Sequence, residues 1–498
     1  MTNPKSEGDP LRRRLPILDG AKGAHPGRRR FLLGGGAGLG ALAFESMLRR
    51  AGGSGAAQAQ GAGLDFPAKA KRAIWLFMAG GPSHLDLLDY KPDLASKFDT
   101  DLPESVRGTQ RLSTMTAGMG RYPVAPSVFK FKQYGQSGTW FSELLPWTAR
   151  LADDLAVIRT VNSESVNHDP AMLAMLTGSQ LTGKPSVGAW LSYGLGSLNQ
   201  NLPTFVVMTS LFSQHVLVQA LSNRLWDSSF LPSVHAGVTV RSTGDPILFV
   251  RDPAGMDTAT RRAMLDATRD LNAIQSQRLH DPVTQARIDE YEMAYRMQSA
   301  VPELTDLSGE TAATRALYGD AVDTPGSFAS NCLLARRMLE RDVRFVQIFH
   351  RGWDSHDSLP LRHPAQCLDV DQACYGLVTD LKQRGLLEDT LVVWGGEFGR
   401  TVFSQGELTA DTYGRDHHPR CFSMWVAGGG IKPGTVYGTT DDFGYNVVDG
   451  SVPLRDLHAT LLHQFGIDHD RLTVNYQGLN QKLVGVDHPA HVVTGILA

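Results

Sequence analysis

Cysteine is scarce in this 498-residue chain: Cys332, Cys367, Cys374 and Cys421, with no Cys-x-x-Cys pair among them. That spacing excludes zinc-finger and thioredoxin-type sites. Cys367 and Cys374 stand seven apart on a segment with helical spacing, and two turns rise about 10 Å, beyond disulfide reach. The four read as small buried hydrophobes, with other disulfide pairings left open. Long apolar runs are lacking too: no stretch reaches the roughly 20 apolar residues that span a bilayer. No Gly-x-Ser-x-Gly elbow occurs, which disfavours a serine hydrolase. Positive charge is not in excess, since 48 Lys/Arg against 51 Asp/Glu give a formal charge of −3. Ten of those basic residues and only four acids fall in residues 1–59, so the rest of the chain carries −9. An acidic body without a basic patch argues against nucleic acid as a partner.

What is present is the composition of a globular protein, 42% hydrophobic and 20% charged, with 51 glycines for tight turns. Gly27-Arg28-Arg29-Arg30-Phe31-Leu32-Leu33, a Gly/Ala/Leu stretch from Leu32 to Phe44 and then Ala57-Gln58-Ala59 resemble a twin-arginine export signal with a small-residue cleavage site. The expected organisation is a signal peptide at 1–59, a linker at 60–70 and one domain at 71–498. Export would place the protein in the periplasm or outside the cell, with the twin-arginine machinery as a partner.

Short apolar runs recur along the domain: Ala73–Met78, Leu155–Val161, Thr204–Met208, Val343–Phe349, Thr390–Trp394 and Phe422–Ala427. Continuous runs of this length read as strands buried on both faces. Helical spacing lies between them, over Phe141–Asp153, Ala171–Leu176, Val187–Leu195, Asp257–Ser299, Ser327–Arg341, Pro364–Arg384 and Pro453–Phe465. Alternation of the two predicts an α/β fold, a mostly parallel central sheet with helices on both faces. Residues 210–318 break the rhythm and read as an insertion or cap.

Histidine and carboxylate gather where these strands end. Trp353-Asp354-Ser355-His356 follows one strand, and an acid and an imidazole two apart in a loop can face one metal ion, or form a capped turn. Glu397 is bracketed by glycines after another strand, with Arg400 placed to grip an anionic ester or to pair with Glu397. Asp416-His417-His418 precedes Phe422–Ala427; adjacent histidines rarely serve one ion, so one is a ligand and the other lies outside. His84 and Asp86 follow the first strand, as ligands or as caps, and His168-Asp169-Pro170 opens a helix whose N-terminus suits an anion.

These motifs together, Gly-Gly-Pro-Ser-x-x-Asp, Trp-Asp-x-His, Glu-Phe-Gly-Arg-Thr and Gly-Arg-Asp-His-His, resemble domain-of-unknown-function family 1501 over about residues 70–480, exported relatives of the alkaline phosphatase and sulfatase superfamily. The resemblance implies an alkaline-phosphatase-like sandwich, two metal sites and hydrolysis or transfer of phosphate or sulfate esters. It also implies a Ser, Thr or Cys nucleophile nine residues before a Thr-Gly pair. Here that position is His168, so the hydroxyl or thiol is absent, and His168 is a ligand, a phosphohistidine nucleophile or a base. Where relatives have Asp-His, this chain has Glu397-Phe398.

The expected site therefore has Asp354, His356 and His418 or His417 on one divalent ion. Glu397, Asp86 and His84 hold another, with His168 and Arg400 facing the substrate. One or two ions are expected, zinc or manganese by ligand type and magnesium or calcium less well. The substrate is a small-molecule or polysaccharide ester that is anionic. The alternative is a non-catalytic exported metal- or ligand-binding protein on the same fold.

Overall fold

The computed structural model describes residues 64–213, 218–241, 256–279 and 282–498. The expected export signal at 1–59 and the start of the linker lie outside the described residues. The apolar runs do form strands, β1 (Arg72–Met78), β2 (Leu155–Asn162), β3 (Phe205–Thr209), β5 (Phe345–His350) and β6 (Thr390–Gly395), and a further short one, β4 (Val238–Thr239), lies between β3 and β5 in sequence. Next in the chain, β7 (Gly399–Gln405) and β8 (Gly414–His418) pair only with each other, antiparallel. Then β9 (Phe422–Ala427), β10 (Thr435–Tyr437) and β11 (Val452–Pro453) return to the main sheet. Its order is β10-β2-β9-β6-β1-β5-β3-β4, with β11 also on β2. Every pairing is parallel except the two made by β9, which runs against β2 and β6.

Helices cover both faces, because side chains alternate along each buried strand. Ile74, Leu76 and Met78 share one core with Val346, Ile348, Val392 and Trp394. Ala73, Trp75 and Phe77 share the other with Phe345, Phe349, Leu391 and Val393. The second core is closed by α2 (His168–Thr177), α3 (Val187–Leu195) and, late in the chain, α9 (Leu454–Gln464), while a single turn, α1 (His84–Leu87), follows β1. Against the first core lie α5 (Pro282–Thr305), α7 (Phe328–Glu340) and α8 (Leu359–Gln383), with α4 (Thr258–Leu279) and α6 (Ala312–Tyr318) between them in sequence. All four cysteines are buried and free, two of them on α8.

Three expectations change. Phe141–Asp153 is not one helix: Phe141 and Ser142 end a strand, Thr139–Ser142, that pairs antiparallel with Phe131–Tyr134 across the Gly135–Gly138 turn, and Thr148–Leu151 is a short 3-10 turn. Asp153 caps the Gly135–Gly138 turn, accepting from Gln136 N and Ser137 N at 2.8 Å each. The helical stretch Asp257–Ser299 is two helices, and Pro282 stands at the first position of the second, where its missing N–H costs nothing. Within the region expected as an insertion, Val238–Thr239 pairs with β3 and extends the sheet.

Gly178 ends α2, the helix that begins with His168. Its φ is +72°, and a Cβ there would lie 1.9 Å from the Leu483 carbonyl oxygen. A side chain at this place meets both left-handed strain and backbone overlap. Gly178→Ala is expected to lower stability by about 2 kcal/mol or more, read as a reduced denaturation midpoint at unchanged slope; an unchanged midpoint would contradict this packing.

Candidate metal centre

In a parallel sheet the carboxyl ends of the strands face one edge, and the loops leaving them meet there. The loop after β1 brings Gly80 and Gly81, and the segment after β2 leads into α2 and His168. Beyond β5 come Trp353, Asp354 and His356, and Glu397 follows β6. The β7–β8 hairpin sets His417 directly across from Arg400.

Four of these side chains converge. Ligand atoms of His168, Asp354, His356 and His417 all lie within 4.8 Å of one another. Three imidazole Nε2 atoms face one carboxylate: His168 at 3.1 Å from Asp354 Oδ2, and His356 and His417 at 2.8 and 3.3 Å from Oδ1. Each ring's other nitrogen is held from behind. His168 Nδ1 is 2.5 Å from Glu397 Oε1, His356 Nδ1 is 2.5 Å from Gln405 Oε1, and His417 Nδ1 is 2.7 Å from the Val166 carbonyl. Acceptors at all three Nδ1 atoms assign the proton there and leave the Nε2 lone pairs pointing inward. Three lone pairs aimed at a carboxylate repel it unless a cation lies among them. The donor set, three imidazoles and one carboxylate with fixed outer partners, fits a divalent metal ion.

The electrostatics are those of a buried charge. Burial alone would raise the pKa of Asp354, but the Arg400 guanidinium and the three imidazoles hold it far below the usual carboxylate range. Burial likewise opposes a charged His168, yet its hydrogen bonds to Asp354 and Glu397 outweigh that and raise its pKa, so that without an ion a proton on Nε2 takes the cation's place beside Asp354. For His417 burial wins, and its pKa falls to about 4 despite Asp354. The centre is not sealed: the side chains of His168 and His356 are 17% and 11% exposed.

Other expected site residues are placed elsewhere. Asp86, His84 and Glu397 form no common site for a second ion. Both Asp86 oxygens belong to a fully buried pair with Arg415, and Ser83 Oγ and Tyr413 OH also donate to them. His84 is turned to the Gly444 carbonyl, 2.9 Å from Nε2, and groups with Asp89 and Cys421. Glu397 stands behind His168 and accepts from Gly80 N at 2.9 Å. Phe398, where the superfamily resemblance implies histidine, packs its ring on His168 and His417, centroids 4.8 and 4.5 Å away. Alternation along β8 sends His418 to the opposite side, against Tyr445, with Nε2 2.7 Å from the Tyr445 carbonyl. Asp416 accepts from the hydroxyls of Ser113 and Thr116.

Arg400 does not present itself to a ligand either. It is fully buried, and it donates to Asp354 Oδ1 at 2.7 Å and to the Gly80, Gly81 and Arg415 carbonyls. Nothing in the sequence marks Gln405 or the Val166 carbonyl as outer partners. Gln219, with Nε2 3.5 Å from His168 Nε2, was equally unmarked.

The sequence profile of the family described as Protein of unknown function (DUF1501) matches residues 70–497. The chain belongs to this family. No curated protein matches it in sequence. Among solved structures, the DUF1501 chain is similar to the lipoteichoic acid synthase LtaP from Listeria monocytogenes, at 10% identity and TM-score 0.35, covering 85% of this chain and 76% of that one. It is also similar to the PsFucS1 sulfatase from Pseudoalteromonas sp. (12% identity, TM-score 0.32, 80% and 68% covered). A third is a TAB5 alkaline phosphatase mutant with magnesium bound (12% identity, TM-score 0.30, 80% and 98% covered). Likenesses this distant assign no activity to the DUF1501 chain.

The Asp86–Arg415 pair yields a test of its own. Burial would raise the Asp86 pKa, but Arg415 and the Ser83 hydroxyl bring it down to about 2. A depressed folded-state pKa gives stability that is present above the ordinary carboxylate value and lost as pH falls toward 2. Asp86→Asn strands a buried guanidinium, so a loss of about 3–5 kcal/mol at neutral pH is expected, measured by chemical denaturation. Wild-type stability in the variant would restore Asp86 as a free ligand candidate.

Proposed function

We propose that this protein is an exported metal-dependent hydrolase of phosphate or sulfate esters, with one divalent ion held by His168, Asp354, His356 and His417. The observation that carries the reading is the orientation of the three histidines: every Nδ1 is tied outward and every Nε2 faces Asp354. Such outer partners orient metal-binding imidazoles and raise their basicity. Zinc is the ion this ligand set suits best. When bound, it supplies Lewis acidity toward an ester oxygen and an acidified water.

The chain's own residues do the rest. Glu397 keeps the proton of His168 at Nδ1, and Gln405 and Val166 do the same for their rings. Arg400 neutralises Asp354 from the protein side, so the carboxylate remains ionised though buried. Phe398 covers the inner faces of His168 and His417, which leaves the solvent side of His168 and His356 as the approach for an ester. Both nitrogens of His168 are engaged, which supports direct attack by water over a covalent phosphohistidine.

A second reading, an exported binding protein without catalysis, is favoured by one observation: Arg400 is wholly occupied by protein acceptors and offers no open clamp for an anionic ester. Metal analysis and ester hydrolysis separate the two. About one equivalent of zinc is expected, lost in Asp354→Ala/His356→Ala and bound roughly 10–100-fold more weakly in Glu397→Gln. Turnover of nitrophenyl phosphate or sulfate that disappears with the metal supports the hydrolase. Metal without turnover of either ester selects the binding protein, and no metal after reconstitution removes both.

Export rests on the Arg28-Arg29-Arg30 segment and the apolar run behind it. Replacing the three arginines by lysine is expected to leave an uncleaved precursor inside the cell, seen by fractionation. Undiminished periplasmic protein would refute the assignment.

A further inference from the structure

Away from the histidine cluster, a cleft of about 460 Å³ opens between the C-terminal end of α2, the first turns of α9 and the 483–488 loop. Two residues of its wall carry buried polar atoms with no hydrogen-bond partner in the protein, Ser163 Oγ and His458 Nδ1. Buried polar groups are almost always paired, so two in one wall call for an explanation. His458 is fully buried, and its Nε2 lies 2.7 Å from the Met175 carbonyl. That contact assigns the proton to Nε2 and makes Nδ1 an acceptor. Burial pushes the His458 pKa down to about 4, so near neutral pH the ring carries no charge.

The rest of the wall is part apolar, with Ala174, Pro453, Leu454, Leu483 and Val484, and part polar and mixed in sign. Glu164 and Asp487 face it with Arg455, and Ser179 and Gln180 add a hydroxyl and an amide. With His488 neutral, two carboxylates stand against one guanidinium, a balance that disfavours phosphate, sulfate or any other compact anion. No Phe, Tyr or Trp lines the cleft, so recognition there rests on hydrogen bonds rather than ring stacking. A group that both donates and accepts satisfies such a wall, and the hydroxyl is that group.

We propose that this cleft binds a neutral polyhydroxylated ligand, a sugar residue or cyclic polyol, whose hydroxyls donate to His458 Nδ1 and accept from Ser163 Oγ. The assignment does not depend on the reading of the metal centre. The two places share a segment nonetheless: Ser163 N donates to the Pro419 carbonyl at 2.8 Å, and Val166, three residues on, holds His417. Ser163 and His168 thus lie five residues apart on one strip of chain.

The test is saturation-transfer difference NMR on the purified full chain. The probes are glucose, galactose, mannose and myo-inositol, with methyl glycosides of the three sugars, and phosphate competition and glycine serve as controls. Millimolar binding of at least one sugar or inositol is expected, unaffected by equimolar phosphate. Ser163→Ala should weaken it roughly 3–10-fold, the share of one hydrogen bond. His458→Leu should abolish it, and Glu164→Gln, on an exposed side chain, supplies a reduction that does not threaten folding. Free sugar and glycoside binding alike points to a side-on subsite, whereas binding of glycosides alone points to a residue within a larger glycan. Absence of transfer to every polyol overturns the proposal, as does binding of glycine or phosphate in their place. Undiminished binding by both Ser163→Ala and Glu164→Gln overturns it too.

Discussion

A single buried carboxylate organises this protein. Asp354 stays ionised beneath the sheet edge because Arg400 and three imidazoles surround it. An isolated carboxylate at that depth would be protonated or would destabilise the fold by several kcal/mol. Each compensating group arrives on a different element: α2 gives His168, the loop after β5 gives His356, and the β7–β8 hairpin gives Arg400 and His417. The parallel strands β1, β2, β5 and β6 are what bring those elements to one edge.

The surroundings explain why Glu397, Asp86 and His84 do not form the second cluster expected of them. A second ion needs ligands that can turn toward it. Glu397 is fixed by His168 and Gly80 N, Asp86 is fixed by Arg415, and His84 is fixed by Gly444. Phe398 then fills the adjoining space with an apolar ring, and Gly81 packs so tightly beneath it that a Cβ would approach the ring to 2.7 Å. Glu397, a carboxylate of the kind that could serve as a ligand, instead holds the His168 ring from behind. This arrangement is compatible with chemistry at a single ion and with a retained binding site, which share the same ligand demands and differ in how open the solvent side is.

Much of the layout was legible in the chain. Five of the apolar runs sit where β1, β2, β3, β5 and β6 are, and Phe422–Ala427 coincides with β9. Their legibility follows from burial on both faces, which demands uninterrupted apolar sequence. The same logic placed Asp354, His356 and Glu397 at strand ends. The Phe141–Asp153 stretch misled because its apolar spacing suits a helix locally, while the turn at Gly135–Gly138 draws Phe141 and Ser142 into a hairpin and leaves only a 3-10 turn at Thr148–Leu151.

By itself, the sequence determined the class of fold and the short list of residues that carry chemistry, because hydrophobic period and residue type are local properties. Only the tertiary structure decided which of the candidates meet. His417 and His418 are adjacent and chemically alike, yet strand alternation sends one to Asp354 and the other to Tyr445. Asp86 and Asp354 are both buried acids, yet one faces a permanent cation alone and the other faces three imidazoles as well. Gln405 and the Val166 carbonyl bear no sequence mark at all, since an outer partner is defined by where it stands rather than by what it is. Contacts between residues hundreds of positions apart are fixed by sheet register and packing, and no local pattern encodes them.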